Sequence, residues 1–298
     1  MTDRWRPGPR LSRWLFVLPA AAYLLLFFGY PLVENVVMSF QHYTADTFYT
    51  GDAPFAGLRN YRAVLSSEAF TGALPTTVLF TAGSVLGQAA VGLALALFFR
   101  RSFPLGGVLR SLLLLPWLLP LVVSGTTWRW MLDPDSGVVN TVLRGLRLST
   151  AGVPWLTDPS QALVSVILVN VWVGVPFATA LLYGGLQGIP PHLYEAAELD
   201  GAGPLASFRH ITWPLLRPVV NVVLVLGVVY TVKVLDVVLV VTGGGPGGAT
   251  ETLATRAYEL SFRQFEFGRG AVLGNVLIAV SFLAALVHLR AERRARAL

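Results

Sequence analysis

Tyr194–Pro214 reads YEAAELDGAGPLASFRHITWP. It holds three carboxylates (Glu195, Glu198, Asp200), two glycines and an internal proline. Ala162–Leu186 before it contains no charge, and Trp213–Val241 after it is interrupted only by Arg217, Lys233 and Asp236. A bilayer core about 30 Å thick needs about 20 apolar residues to cross it. The stretch therefore separates two spans with a polar connection on one side of a membrane, and this makes the chain a multi-span protein.

Working outward, Trp14–Val33, Leu74–Phe99, Ser111–Trp128 and Ala271–Leu289 are also free of Asp, Glu, Lys and Arg. The expectation is an all-α membrane protein of six transmembrane helices, at about 14–35, 74–99, 109–131, 161–186, 213–241 and 270–290. Residues 1–13 and 291–298 are read as short tails flanking a single transmembrane domain over 14–290. The composition agrees: 54% of the 298 residues are hydrophobic and 13% charged, against about 25% charged in soluble domains. The first run follows arginines, as a signal peptide would. It is too long for a typical h-region and no A-x-A site follows it, so it is read as a span.

Orientation comes from arginine. With the N-terminus inside, thirteen arginines fall in inside segments and seven in outside loops; Arg129 at an outer boundary and Lys233 within span five complete the 22 basic residues. The positive-inside rule places both termini, and the acidic stretch, in the cytoplasm. Trp128 and Trp130 flank Arg129, as suits a headgroup layer. Prolines 19, 31, 116, 120 and 176 favour kinks, and Gly83-x-x-x-Gly87 and Gly270-x-x-x-Gly274 permit close helix packing.

Several chemistries are excluded. There is no cysteine, so there are no disulfides or thiolate sites. His42, His192, His210 and His288 are scattered, with no H-E-x-x-H and no G-x-S-x-G, so neither an enzyme nor a metal site is expected. A phosphate-binding P-loop needs lysine, and the only lysine lies between Val232 and Val234. The glycine-rich Thr242–Gly248 is read as a tight outer turn. The basic balance serves topology and implies no nucleic acid.

The acidic stretch reads physically as two short helices. Pro190 and Pro191 suit a helix entry, Leu193, Ala196 and Ala197 share a face, Gly201 and Gly203 end the first helix, and Pro204 begins the second. A connecting hairpin and a docking element for a partner fit these residues equally. In span five, Lys233 and Asp236 are three apart, so on a helix they can pair as a structural ion pair; or they can line a solute route. Asn170 is read as a helix-to-helix hydrogen bond in preference to a ligand.

The stretch resembles the EAA loop of permease subunits of binding-protein-dependent ABC importers. Glu195-Ala196-Ala197, then Gly201, then Ile211-Thr212-Trp213-Pro214 keep the family's spacing, with Trp213 where leucine is usual. Phe55–Leu65, Trp128–Asn140, Asn170–Pro190 and Val241–Glu259 resemble the carbohydrate-uptake branch that includes maltose and glycerol-phosphate permeases. The resemblance implies a type I ABC importer permease fold with no cofactor of its own. ATP and Mg would be bound by a partner ATPase dimer, docked through Glu195, Ala196, Ala197, Asp200, Gly201, Ile211 and Pro214 in a cytoplasmic loop at 187–212. It also implies a second permease, a different chain, together with an external solute-binding protein and a sugar as solute. Carried over by position and joined to the charges of span five, the solute pathway would be Gly174 and Phe177 on span four and Gly227, Tyr230, Thr231, Lys233, Val234 and Asp236 on span five. The glycines would make room and Phe177 would stack on a sugar face. An ion-coupled secondary transporter using Asp236 and Lys233 is the alternative.

Overall fold

The computed structural model describes residues 9–101, 103–149 and 152–296. Residues 1–8 of the expected N-terminal tail and 297–298 of the C-terminal one lie outside the described residues. Every long element is helical, and among the described residues the only β feature is an isolated bridge between Gln41 and Phe55. Among the described residues five helices are long and apolar enough to cross a membrane, and a sixth candidate is a pair of apolar helices bent sharply against each other.

The helices used below are α1 (Phe16–Ser39), α2 (Glu68–Phe99), α3 (Gly106–Leu118), α4 (Leu121–Met131), α5 (Pro159–Gln187), α6 (His192–Leu199), α7 (Pro204–Thr231), α8 (Asp236–Val241) and α9 (Phe267–Arg296). Two start earlier than their apolar runs because polar residues build the first turn. The Ser67 side chain accepts from the Phe70 N–H to cap α2. Asp158 accepts from Ser160 and Gln161 to cap α5, with Pro159 in the first turn, where its missing donor costs nothing.

The chain forms two compact units. In the first, made of the chain up to Ser66 with Ala257–Asn275, a run of polar bonds ties α1 to the start of α9. Asn35 donates to Asn275 (2.8 Å), Asn275 donates to the Tyr61 hydroxyl (3.1 Å), and that hydroxyl meets Ser39 (3.0 Å). Such bonds suit apolar surroundings, where an unpaired amide is costly.

The second unit holds Ser67–Arg256 and the chain from Val276. Its closest packing is between α2 and α5: a Cβ at Gly87 would stand 2.7 Å from Val171, and one at Gly92 would stand 2.8 Å from Ala178. Two apolar clusters lie along this pair. One gathers Phe80, Val166, Val169, Val237, Val238 and Val241; the other gathers Ala96, Ala178, Leu182, Leu186, Leu216 and Val223.

Two expected spans differ from straight helices. Residues 109–131 are α3 and α4, bent by 97° at a break on Pro120. Pro116 and Pro120 supply no N–H, which weakens the helix through this stretch, and it breaks at Pro120. Residues 213–241 are not one helix either. α7 begins at Pro204, inside the expected loop, and ends at Thr231; α8 starts at Asp236. No proline or glycine occurs between Val228 and Val241, so this second break has no local sequence cause.

Candidate functional site

The acidic stretch folds as an elbow. α6 ends in a Schellman motif, with the Ala202 N–H bonded to the Ala197 carbonyl (2.8 Å) and the Gly201 N–H to the Glu198 carbonyl (3.0 Å). Gly201 sits at φ +77, the left-handed region that glycine enters without Cβ strain. Pro204 then opens α7, which continues through a π turn at Phe208–Thr212 without stopping. The expected second short helix is therefore the leading end of a 28-residue helix. At 1.5 Å per residue α7 spans about 40 Å.

One side of the elbow is anchored. The Tyr194 hydroxyl meets Thr212 Oγ1 at 2.9 Å, and the Arg100 guanidinium lies 3.9 Å from the Tyr194 ring centroid. Leu193 and Ile211 pack against the cluster of Leu186, Ile189 and Leu216. The other side is bare: Glu195, Ala196, Glu198, Asp200, Gly201 and Pro214 are exposed and Ala197 is half-buried. Two apolar side chains not singled out in the sequence stand beside them, Leu199 (90% exposed) and Leu205 (80%). Of the residues expected to dock a partner, only Ile211 turns inward to the apolar cluster.

The expected pathway residues come together in one cavity. Gly174, Phe177, Gly227, Tyr230, Thr231, Lys233, Val234 and Asp236 all line a hollow of 540 Å³, within the size range of small-molecule sites. Gln88, Trp117, Leu119, Leu121, Asn170 and Val173 complete it. The bend between α3 and α4 brings in Trp117, Leu119 and Leu121, which a straight span would not suggest. Aromatic rings form one wall: Trp117 and Phe177 centroids are 5.8 Å apart, and Phe177 meets Tyr230 edge-on at 6.1 Å. A hollow of 720 Å³ elsewhere is lined only by residues of Leu58–Ser66, a surface trough along one short helix.

Three expectations for this cavity are corrected. Lys233 and Asp236 are not joined by an ion pair among the described residues, because the helix that would put them on one face ends at Thr231. Lys233 Nζ instead lies 5.5 Å from the Tyr230 ring centroid. The glycines make room for neighbouring helices: a Cβ at Gly174 would lie 2.3 Å from the Gln88 side chain, and one at Gly227 would lie 3.1 Å from Val85. Asn170 Nδ2 bonds to no partner among the described residues; its backbone carbonyl accepts from Gln88 Nε2 at 3.0 Å.

Asn140 organises the connection after α4. It is 1% exposed and makes four bonds: to the Pro134 and Val153 carbonyls, from the Val153 N–H and from Trp155 Nε1. In the same connection the Asp133 carboxyl is held below the usual carboxylate range, chiefly by the Ser136 N–H and then by its hydroxyl. Asp158 is lowered likewise, chiefly by the Ser160 hydroxyl and then by the Gln161 N–H.

Residues 88–297 match the family of binding-protein-dependent transport system inner membrane components. The chain is 35% identical over 280 residues to a trehalose/maltose transport system permease protein of Thermococcus litoralis, covering 94% of this chain and 93% of that one. It is 36% identical over 291 residues to a sulfoquinovosyl glycerol transport system permease protein of Agrobacterium fabrum, covering 97% and 93%. A solved bacterial alginate ABC transporter contains a chain with the same fold, at a TM-score of 0.80 and 22% identity, covering 95% of this chain and 94% of that one. Nothing in these similarities supports ion-coupled transport. The all-α fold, the long apolar helices and these matches show that the chain belongs to the family of binding-protein-dependent transport system inner membrane components, as a permease subunit of an ABC importer and not an enzyme.

Proposed function

We propose that this subunit passes a sugar or sugar derivative through the cavity between α2, α4, α5 and α7, driven by a separate ATPase dimer that grips the elbow of α6 and α7. The observation that carries the reading is a continuity. The leading end of α7 forms the elbow, and its far end places Gly227, Tyr230 and Thr231 in the cavity. Movement at one end of a packed helix reaches the other without a flexible joint between them.

Glu195, Ala196, Ala197, Asp200 and Gly201 make the docking surface, with Leu199 and Leu205 as apolar anchors beside them. Pro214 lies further along α7, and Ile211 supports the surface from within. Gln88, Asn170, Lys233 and Asp236 offer hydrogen bonds to hydroxyls, and the rings of Trp117, Phe177 and Tyr230 suit the apolar face of a pyranose. Sugar is favoured by the relatives named above, whose solutes are all carbohydrates or carbohydrate derivatives.

The complete importer in this reading has a second permease of a different sequence, an extracytoplasmic solute-binding protein, and ATP with Mg held by the ATPase. It sits in the cytoplasmic membrane with both termini in the cytoplasm, as the arginine distribution favours. The test is purification of the complex followed by a screen of sugars, each with the binding protein, for stimulated ATP hydrolysis and uptake into vesicles. A sugar that stimulates both is expected. Uptake that persists without the ATPase would overturn the reading.

A further inference from the structure

α6 has only eight residues, and a helix that short keeps its shape in water only through its contacts. Two of its side chains, Leu193 and Tyr194, pack on the apolar cluster of Ala96, Leu182 and Leu216, while His192, Glu195, Ala196, Glu198 and Leu199 are exposed. Apolar packing is non-directional and by itself fixes no register. Tyr194 adds two directional contacts. Its hydroxyl meets Thr212 Oγ1 on α7 at 2.9 Å, and Thr212 is 2% exposed. Its ring lies under the Arg100 guanidinium, 3.9 Å from the centroid, and Arg100 closes the end of α2. One side chain of the docking helix is thus joined to α7 and to α2, two different walls of the cavity.

Membrane orientation does not account for the second contact. It asks only for cations on one side of the bilayer, and Arg101 beside Arg100 serves that equally. It asks for no ring at stacking distance. Arg100 has no carboxylate partner among the described residues, so the tyrosine ring is its specific contact. Arg100 lies twelve residues beyond Gln88, which lines the cavity, and no proline intervenes. That is about 18 Å of continuous helix.

We propose that Tyr194 and Arg100 are positioning residues of the transport cycle. They make α2 follow the elbow, so that a movement gripped at α6 reaches the cavity along α2 as well as along α7. The inference rests on the ATPase-driven reading above and adds a route that α7 alone does not provide.

The test uses the complete importer complex, with its partner subunits made cysteine-free. This chain has no cysteine, so spin labels attached through Ala94→Cys on α2 and His192→Cys on α6, both exposed positions, report whether the two helices move together. In the parent the label-to-label distance should keep one distribution before and after trapping with ATP and vanadate. In Arg100→Ala it should shift or broaden on trapping. Arg110→Ala is the control: Arg110 makes the same kind of pair with Tyr183 of α5, 4.9 Å from the ring centroid, and its loss should leave the distribution as in the parent.

The second arm is sugar moved per ATP hydrolysed. Arg100→Ala and Tyr194→Leu should each lower that ratio about two- to fivefold, the size of one exposed cation–π contact. The double variant should be no worse than Tyr194→Leu, since the two residues act as a unit. Arg100→Lys should recover part of the loss, because an ammonium still meets the ring. A merely structural role would lower uptake and hydrolysis together and leave their ratio where it was. An unchanged ratio in Arg100→Ala, or the same trapped distribution in Arg100→Ala as in the parent, overturns the proposal. If no sugar stimulates the parent, the sugar reading is what fails, and the label arm, which needs only ATP and vanadate, still decides. If the parent itself shows no ATP-dependent trapping, the ATPase reading fails and takes the proposal with it.

Discussion

Gly201 and Gly203 offer a paired test of the elbow. Both are exposed, and a Cβ added at either meets nothing within 4 Å. They differ in backbone: Gly201 has φ +77 and Gly203 has φ −71. Gly201→Ala therefore costs only the left-handed conformation, about 1–2 kcal/mol for an L-residue, while Gly203→Ala costs almost nothing. The strain falls on the two bonds that close α6, from Gly201 and Ala202 to Glu198 and Ala197. A penalty of about 1–2 kcal/mol raises the open population about 5- to 30-fold. Amide hydrogen exchange at positions 201 and 202 should speed by that factor in Gly201→Ala and stay unchanged in Gly203→Ala. If the elbow transmits the ATPase stroke, sugar moved per ATP should fall in the first variant only. Equal exchange in the two variants would refute the Schellman account. Faster exchange with unchanged coupling would refute the lever account while leaving the fold intact.

Four further outcomes are expected. Glu195→Lys reverses charge on an exposed α6 residue, so it should abolish sugar-stimulated ATP hydrolysis with no change in helical content by circular dichroism. Asp236→Asn should change the sugar affinity of the trapped complex without lowering folded yield, because the carboxylate has no ion-pair partner among the described residues; a drop in yield alone would count against its place on the pathway. Asn140→Leu breaks the four hydrogen bonds of a buried side chain and should cost at least about 3 kcal/mol, read as loss of folded complex in a thermal melt. Asp158, whose carboxyl is depressed by Ser160 and Gln161, stabilises the start of α5 above its unfolded pKa of about 4, and that contribution disappears as pH falls through the depressed folded value. Asp158→Asn should flatten the acid side of the melting profile.

The sequence alone was enough to locate the long apolar helices, because a charge-free run of about 20 residues has few places to go but lipid. It also located the elbow: left-handed backbone wants glycine, and Gly201 stands where helix-forming residues stop. The docking residues and the cavity residues around Gly174 and Thr231 came by position from the EAA spacing and the family likeness. What periodicity could not supply was the course of the chain at its two breaks. Pro116 and Pro120 advertise a kink, but 97° and the delivery of Trp117 to the cavity depend on what α3 and α4 pack against. Between Thr231 and Asp236 no residue advertises anything, and the assumption of a continuous helix left an ion pair of Lys233 and Asp236 as open as a place on the pathway. Gln88 was invisible for a related reason. Its place is set by a glycine 86 residues away on another helix, and a contact of that kind is created only when α2 and α5 close on each other. Local sequence determines which segments leave water and where the backbone can turn; the cavity exists because packed helices choose between conformations that, one at a time, are nearly equal in energy.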